Sequence, residues 1–166
     1  MNRNKLTTIL ASCIICACLM IMNSCKKGDV ITTPVPALKC LVNGVADTAT
    51  NISVGNIQGY TAIKAISKTT TPALMQEIII ELSSNATGTY PLNAYNSTSS
   101  IGAAFLIGTS ETSLTGYQTT GVSPYVGNIV ITSSANNVVS GTFSFIGTDG
   151  SNYYAITNGT FTNVTL

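Results

Sequence analysis

The sequence predicts a single antiparallel all-β domain that follows an amino-terminal export signal. Across residues 38–166, short runs rich in Ile, Val, Thr, Tyr and Phe alternate with clusters of Gly, Asn, Ser and Pro, which is typical of strands and turns. No window of useful length there has the apolar spacing of an amphipathic helix. Antiparallel strands of this kind close into a meander barrel or stack as a β-sandwich, and short connections favour the barrel.

The composition excludes several classes of function. At 166 residues and 45% apolar content, the chain has room for one domain with its own core. It has no His and only 8% charged residues, so the commonest general base and transition-metal ligand is absent. A net charge of +1 argues against nucleic-acid binding, which needs clustered Lys and Arg. We therefore expect no enzyme activity, no cofactor and no metal.

The first 24 residues have the layout of a secretory signal. Arg3 and Lys5 precede an apolar stretch at 6–22, and polar sequence begins directly after it. The stretch is shorter than the roughly 20 apolar residues that a transmembrane helix needs. We predict that residues 1–24 are a signal peptide. An ordinary cleaved signal and an uncleaved anchor remain the alternatives.

The end of this stretch, "MNSC" at 22–25, resembles the lipobox of bacterial lipoproteins, with the small Ser24 beside Cys25. Cleavage before Cys13 or Cys18 would leave apolar residues exposed, so we predict that Cys25 is lipidated and becomes the first residue. Two acyl chains hold a protein stably on a membrane. The resemblance implies a membrane partner through the lipid anchor and a place in the cell envelope, at the outer membrane.

The mature chain begins with a predicted tether at 25–37, which contains two prolines and no periodicity. Loss of residues 1–24 leaves five basic residues (7 − 2) against six acidic ones. Of the five cysteines, Cys40 alone would remain as a free thiol. Because no His is available as a base and Leu41 and Val42 follow, we expect Cys40 to be a buried apolar thiol.

The β domain is predicted to span residues 38–166, as a calycin-like or lipocalin-like barrel or a sandwich. The clearest strand, "LMQEIIIEL", alternates with period two and places Glu77 and Glu81 together on one face, which predicts a half-buried strand with a solvated glutamate face. Turn residues are found in "VNG" at 42–44, "SANN" at 134–137 and "TDGSN" at 148–152. The predicted strands are 38–42, 44–48, 57–66, 74–83, 87–92, 101–108, 112–119, 125–133, 137–147 and 152–164.

Two segments near the carboxyl end repeat each other, "SGTFSFIG" at 140–147 and "NGTFTNV" at 158–164. Alternation points their phenylalanines inward, and the intervening residues then form polar rows on the outer face that favour strand pairing. We expect two adjacent strands that fill one core. The inward residues are Phe143, Phe145 and Phe161, and the outward ones are Thr142, Ser144, Thr160 and Thr162.

The combination of the lipoprotein signal with "CLVNG", "TGTYPL", "GNIVITS", "SGTFSF" and "ITNGTFTNV" resembles a family of Bacteroidota lipoproteins whose domain has no known function. The resemblance covers most of residues 38–164 and implies a small all-β extracytoplasmic domain. It supplies no catalytic residues. The family usually has an aromatic residue shortly after the first "NG", whereas Val45, Ala46 and Asp47 follow it here.

The remaining polar residues offer few candidate sites. Along a strand Glu77 and Glu81 would lie about 13 Å apart, beyond the roughly 10 Å of a glycosidase pair. Asp149 and Asn152 lack the spaced acidic partners of a calcium loop. The segment Asp47-Thr48-Ala49 is similar to the O-glycosylation site described as general in Bacteroidota, so Thr48 is a predicted glycosylation site.

These observations favour a lipid-anchored, non-catalytic binding or accessory module whose partner is a small ligand, a glycan or a protein. The alternative is a structural or adhesive surface module. An open apolar interior would favour a small ligand, and a filled interior with an exposed aromatic patch would favour a glycan or protein partner. Six tyrosines are predicted near strand ends or loops, most of them as residues at the rim of the core, with a binding surface as the alternative: Tyr90, Tyr95, Tyr117, Tyr125, Tyr153 and Tyr154.

Overall fold

The computed structural model of the chain describes residues 35–70 and 72–166. The predicted signal peptide and Cys25 lie outside these residues. Eleven β-strands and no helices are found in the described part, which confirms the all-β prediction. None of it forms a helix long and apolar enough to cross a membrane. The strands are β1 Ala37–Val42, β2 Val45–Thr48, β3 Asn51–Ile57, β4 Tyr60–Lys68, β5 Met75–Leu82, β6 Gly88–Leu92, β7 Ala103–Gly108, β8 Leu114–Gln118, β9 Gly127–Ala135, β10 Val138–Thr148 and β11 Tyr153–Thr165.

All strands belong to one antiparallel sheet, in the order β2-β1-β11-β10-β8-β7-β5-β4-β3. The remaining strands lie off this path, because β9 pairs with β10 and β6 pairs with β9. The long strand β10 has two partners on the same side. Its Phe145 pairs with Gly127 of β9, whereas its Thr148 pairs with Gln118 of β8. The sheet therefore divides along β10, and the order is not a simple meander.

The two ends of the sheet are joined by a closing linker of two residues, Ala49 and Thr50. Although β2 and β3 lie at opposite ends of the strand order, only this linker separates them in sequence. The Ala49 amide donates to the Leu38 carbonyl of β1 at 2.9 Å, and the Thr50 amide donates to the Ile66 carbonyl of β4 at 2.7 Å. The sheet therefore curls into a half-barrel, the barrel-like form of the two predicted architectures.

The inner face of the curled sheet carries the core. The predicted inward direction of the three phenylalanines is confirmed, since Phe143 and Phe145 are each 2% exposed and Phe161 is fully buried. Aliphatic side chains from both halves of the sheet complete the interior. The largest fully buried apolar residues besides Phe161 are Phe105, Leu38, Ile63, Ile78, Ile80, Leu92, Ile129, Ile131, Ile156 and Val139.

The repeated "GTF" segments pair with each other so that each glycine faces the phenylalanine of the other strand. Gly141 lies opposite Phe161, and Gly159 lies opposite Phe143. A Cβ atom at Gly141 would lie 2.6 Å from Cζ of Phe161, and one at Gly159 would lie 2.6 Å from Cζ of Phe143. Each glycine therefore provides the space that one aromatic ring occupies, which explains why the two segments resemble each other.

The structure corrects the predicted strand at 57–66. A tight turn at Gln58 and Gly59 separates β3 from β4, with φ of 51° and 89° at these residues. Two positive φ angles are the signature of a type I′ hairpin, in which Gln is uncommon. The side chain of Asn56 compensates, because its Oδ1 accepts a hydrogen bond from the Gly59 amide at 3.0 Å. The predicted turns at Asn43–Gly44 and Asn136–Asn137 are confirmed.

The prediction that β5 is half-buried with a solvated glutamate face is wrong. Glu77 is 3% exposed and Glu81 is fully buried, so both faces of β5 are covered. Glu81 accepts hydrogen bonds from the amides of Asn96 and Gly102, which lie in the connection between β6 and β7. The period-two alternation is present in β5, but no local pattern indicates that this connection covers the outer face.

Gly141→Ala should destabilise the domain by about 1–3 kcal/mol, because the added methyl group overpacks the site against Phe161 and the Val130 carbonyl. The matched control is Gly55→Ala in β3, where a Cβ would meet nothing within 4 Å. Urea denaturation of both variants measures the difference. Equal midpoints for the two variants would contradict the packing argument.

Candidate functional site

The interior of the half-barrel is filled, so the candidate binding surfaces lie outside it. Phe105, Phe161 and Ile156 are each 0% exposed, and Phe143 and Phe145 are each 2% exposed. An open interior would have favoured a small ligand, whereas a filled interior favours a partner that binds at the surface. Two surface regions have the residues for this, one at the turns and one on the outer face of the sheet.

The first region is a cleft of about 460 Å³, which we call the turn cleft. Three parts of the described chain form it together with the final residue: the β3–β4 turn, the β5–β6 connection and the β9–β10 turn. Its volume falls in the range of about 300–1,000 Å³ found for small-molecule pockets. The lining residues are Gly59, Tyr60, Thr61, Leu82, Ser83, Ser84, Asn85, Asn137 and Leu166.

The side chains that line the turn cleft are hydroxyls, amides, leucines and one aromatic ring, with no Asp, Glu, Lys or Arg. Tyr60 is half-buried and packs against the core. The hydroxyl of Tyr60 makes a long contact of 3.5 Å with the Thr98 carbonyl. The cleft therefore presents neutral hydrogen-bonding groups around a fixed aromatic ring.

Local backbone geometry holds these residues in place. Tyr60 is the first residue of β4, directly after the tight turn at Gln58 and Gly59. On the other side, Asn137 has a φ of 62° in the β9–β10 turn, and its carbonyl accepts the Leu166 amide at 2.8 Å. Hairpin turns of this type leave little freedom to their central residues.

Tyr60 was missing from the tyrosines that the sequence indicated, because the predicted strand 57–66 placed it inside a strand. A signal was present, since "NIQGY" contains a glycine that supports a turn. The spacing of residues along the sequence does not predict that three distant connections meet at one cleft. Only the order of the strands in the sheet brings them together.

The second region is a row of outward-facing side chains that crosses six neighbouring strands, which we call the outer hydroxyl face. Direct register partners make up the row, so its members lie about 4.7–4.9 Å apart between strands. The predicted polar outer rows are thereby confirmed. In spatial order the row is Thr89, Val130, Thr142, Thr160, Lys39 and Thr48.

A shallow groove of about 380 Å³ lies beside this row, where β11 bulges at Asn158. Asn158 has a φ of 52°, and the register between β10 and β11 shifts next to it. The bulge tilts polar side chains around the groove. Its lining is also uncharged and consists of Asn128, Thr142, Phe143, Ser144, Asn158, Gly159 and Thr160.

The two predicted modification sites have different outcomes. Cys25 lies outside the described residues. Thr48 is exposed on β2 and ends the row of the outer hydroxyl face. Its hydroxyl is accessible, and its glycosylation stays a prediction.

Glu81 holds the connection at 93–102 against β5, whereas Glu77 pairs with a residue of β4. Glu81 accepts the amide of Gly102 at 2.7 Å and the amide of Asn96 at 3.1 Å. Burial raises the pKa of the Glu81 carboxyl, and the two amides act in the opposite direction. Glu77 pairs with Lys64 at 2.9 Å. Both carboxylates are therefore engaged in contacts within the domain.

The connection at 93–102 also places a tyrosine beside these carboxylates. Burial, followed by the nearby charges of Glu81 and Glu77, raises the pKa of Tyr95. The hydroxyl of Tyr95 therefore stays protonated near neutral pH. Glu77, Glu81 and Tyr95 lie outside the lining of the turn cleft.

Asp149 lies in the turn between β10 and β11, as the sequence predicted. Its Oδ1 accepts the amides of Ser151 at 2.8 Å and Asn152 at 2.7 Å. These two hydrogen bonds lower the pKa of the Asp149 carboxyl. Among residues 35–70 and 72–166, no three His, Cys, Asp or Glu side chains come together as a metal site.

As the sequence predicted, several of the six tyrosines are part of the core or its rim. Tyr117 and Tyr154 have ring centroids 4.6 Å apart, and Tyr154 lies 4.8 Å from Phe105. Tyr90 donates its hydroxyl to the Ala86 carbonyl at 2.8 Å. Tyr153 is the most open of the named tyrosines at 62% exposure. The prediction of rim residues did not distinguish the exposed Tyr153 from the buried Tyr117.

Cys40 is 4% exposed and lies in the core, as predicted. Burial, with a smaller contribution from the Asp47 carboxylate, raises its pKa to about 12. Asp47 itself accepts the Ser67 hydroxyl at 2.9 Å beside the closing linker. A protonated, buried thiol without a histidine base is chemically inert.

Cys40 should therefore resist iodoacetamide at pH 8 in the folded protein and react once guanidinium unfolds it. A chain that begins at Lys26 suits the test, because Cys40 is then its only cysteine. The control is Ser151→Cys, which adds an exposed thiol and should be labelled at once. Mass spectrometry counts the labels, and rapid labelling of native Cys40 would contradict its burial.

Glu81→Gln should cost about 1–3 kcal/mol, because the amide nitrogen of Gln would face a backbone N–H that needs an acceptor. The amides of Asn96 and Gly102 should also exchange with deuterium faster. Glu111→Gln is the control, since Glu111 is exposed. If both variants had the same stability and exchange, Glu81 would not be holding the connection.

Comparison with known proteins adds one assignment. No curated protein and no solved structure matches the chain. A protein-family model does match residues 35–165, which is nearly all of the described chain. The chain therefore belongs to the family of the domain of unknown function DUF6252.

Proposed function

We propose that this protein is a lipid-anchored, non-catalytic binding or accessory module of the cell envelope that takes a neutral polar partner at the turn cleft. The observation that carries the proposal is the pairing of a filled interior with a cleft whose side chains are uncharged and include an aromatic ring. The family assignment is compatible with this proposal and names no activity.

The proposed anchor is Cys25, with residues 26–36 as a tether between the lipid and β1. Val35 is 79% exposed where the chain enters the described domain, which suits an extended tether. If extended at about 3.1 Å per residue, a tether of this length would reach roughly 35 Å. Such a tether would hold the domain clear of the lipid surface, and the outer membrane is the proposed location.

Several observations support a binding role rather than catalysis. Glu77 and Glu81 are engaged with Lys64 and with backbone amides. Cys40 is buried, and the sequence holds no His to activate it. Few side chains of this domain are left to move protons or attack a substrate. The low charge also fits a partner other than nucleic acid.

The second candidate function is that of a structural or adhesive surface module, and the outer hydroxyl face favours it. Its row has four threonines in register across six strands. A wide, regular face of this kind suits an extended partner better than a small one. The turn cleft favours the binding module, because its walls are concave and come from three separate connections.

Cys25→Ala should abolish incorporation of labelled palmitate into the protein in cells and release the protein from the membrane fraction. Cys18→Ala is the matched control, because it removes a cysteine from the same leader and should leave the label unchanged. Fractionation with autoradiography provides the readout. Continued labelling of the Cys25→Ala variant would refute the proposed anchor.

A further inference from the structure

We infer that the turn cleft is a saccharide site that takes one neutral sugar ring against Tyr60. The inference rests on the proposed function and names the class of ligand for the same cleft. It combines three features of the described residues: a fixed aromatic ring, the side-chain amides and hydroxyls around it, and a lining without charged side chains.

Tyr60 supplies the stacking surface. An aromatic ring offers an apolar face to the C–H groups of a sugar while its hydroxyl remains in a polar setting. Tyr60 is half-buried, packs against the core and follows a tight turn, so its ring is held before a ligand arrives. A group that is already ordered loses little conformational entropy on binding.

Asn85 of the β5–β6 connection and Asn137 of the β9–β10 turn supply directional hydrogen bonds in the cleft. Both are exposed, and neither side-chain amide bonds to another group within residues 35–70 and 72–166. Each amide offers two donors and an acceptor, which matches the neighbouring hydroxyl groups of a sugar ring. The hydroxyl of Thr61 adds a further donor and acceptor at the rim.

The neutral, hydrogen-bonding lining of the turn cleft disfavours both charged ligands and purely apolar ones. Acidic sugars and phosphorylated compounds would lose hydration without gaining an opposite charge, since the lining holds no Lys or Arg. A purely apolar ligand would cover Asn85, Asn137 and Ser83 without giving them partners. A neutral ring with several hydroxyl groups avoids both costs.

The test uses the full lipidated chain in a detergent without a sugar headgroup. Saturation-transfer NMR is recorded with the methyl glycosides of glucose, galactose, mannose and N-acetylglucosamine, and separately with N-acetyl-alanyl-alanine amide. The variants are Tyr60→Ala and Asn85→Ala, and Tyr153→Ala is the control because Tyr153 is exposed outside the cleft. Asn85 is exposed, so its variant keeps the test valid if Tyr60→Ala fails to fold.

We expect at least one glycoside to receive saturation, with about tenfold weaker binding in Tyr60→Ala and Asn85→Ala and no change in Tyr153→Ala. Glycoside binding that survives both cleft variants would overturn the inference. If the dipeptide alone binds and Asn85→Ala abolishes that binding, the saccharide assignment fails while the proposed binding function stands. If neither class of probe binds, both fail.

Discussion

The fold depends on complementary packing of glycine and phenylalanine across β10 and β11. Each glycine leaves the space that a phenylalanine ring of the other strand fills. Gly141 faces Phe161 and Gly159 faces Phe143, so each strand contributes one ring and one gap. An aromatic ring has a large apolar area, and protein interiors have little room for an extra methyl group. This packing allows two rings to lie side by side on the inner face and fixes the register of the two longest strands.

That packing has consequences for where the protein can bind a partner. Because the rings and the surrounding isoleucines fill the half-barrel, the interior stabilises the fold and offers no space to a ligand. The closing linker at Ala49 and Thr50 brings the ends of the sheet together. A partner would then bind at the surface, either where connections meet or where a strand is bulged. The turn cleft is of the first kind, and the groove at Asn158 is of the second.

Much of the fold could be predicted from the sequence, since strands, hairpin turns and inward phenylalanines are encoded by local patterns. Asn43 and Gly44, for example, signal a tight turn by residue type alone. The burial of Glu81 could not be predicted, because it results from a connection that begins about ten residues later and covers the outer face of β5. The same holds for the turn cleft, whose members are far apart in sequence. Tyr60 was not among the predicted surface tyrosines, because the turn at Gln58 and Gly59 was not predicted.

The repeated "GTF" segment thus serves side-chain packing between two strands and does not mark a repeated structural unit. The measurement that tests this most directly is a double-mutant cycle between Gly159→Ala and Phe143→Leu, read as free energies of unfolding in urea. We expect strong coupling: the added methyl at position 159 should cost at least about 1 kcal/mol less when the ring of Phe143 is gone. Additive effects of the two substitutions would contradict it.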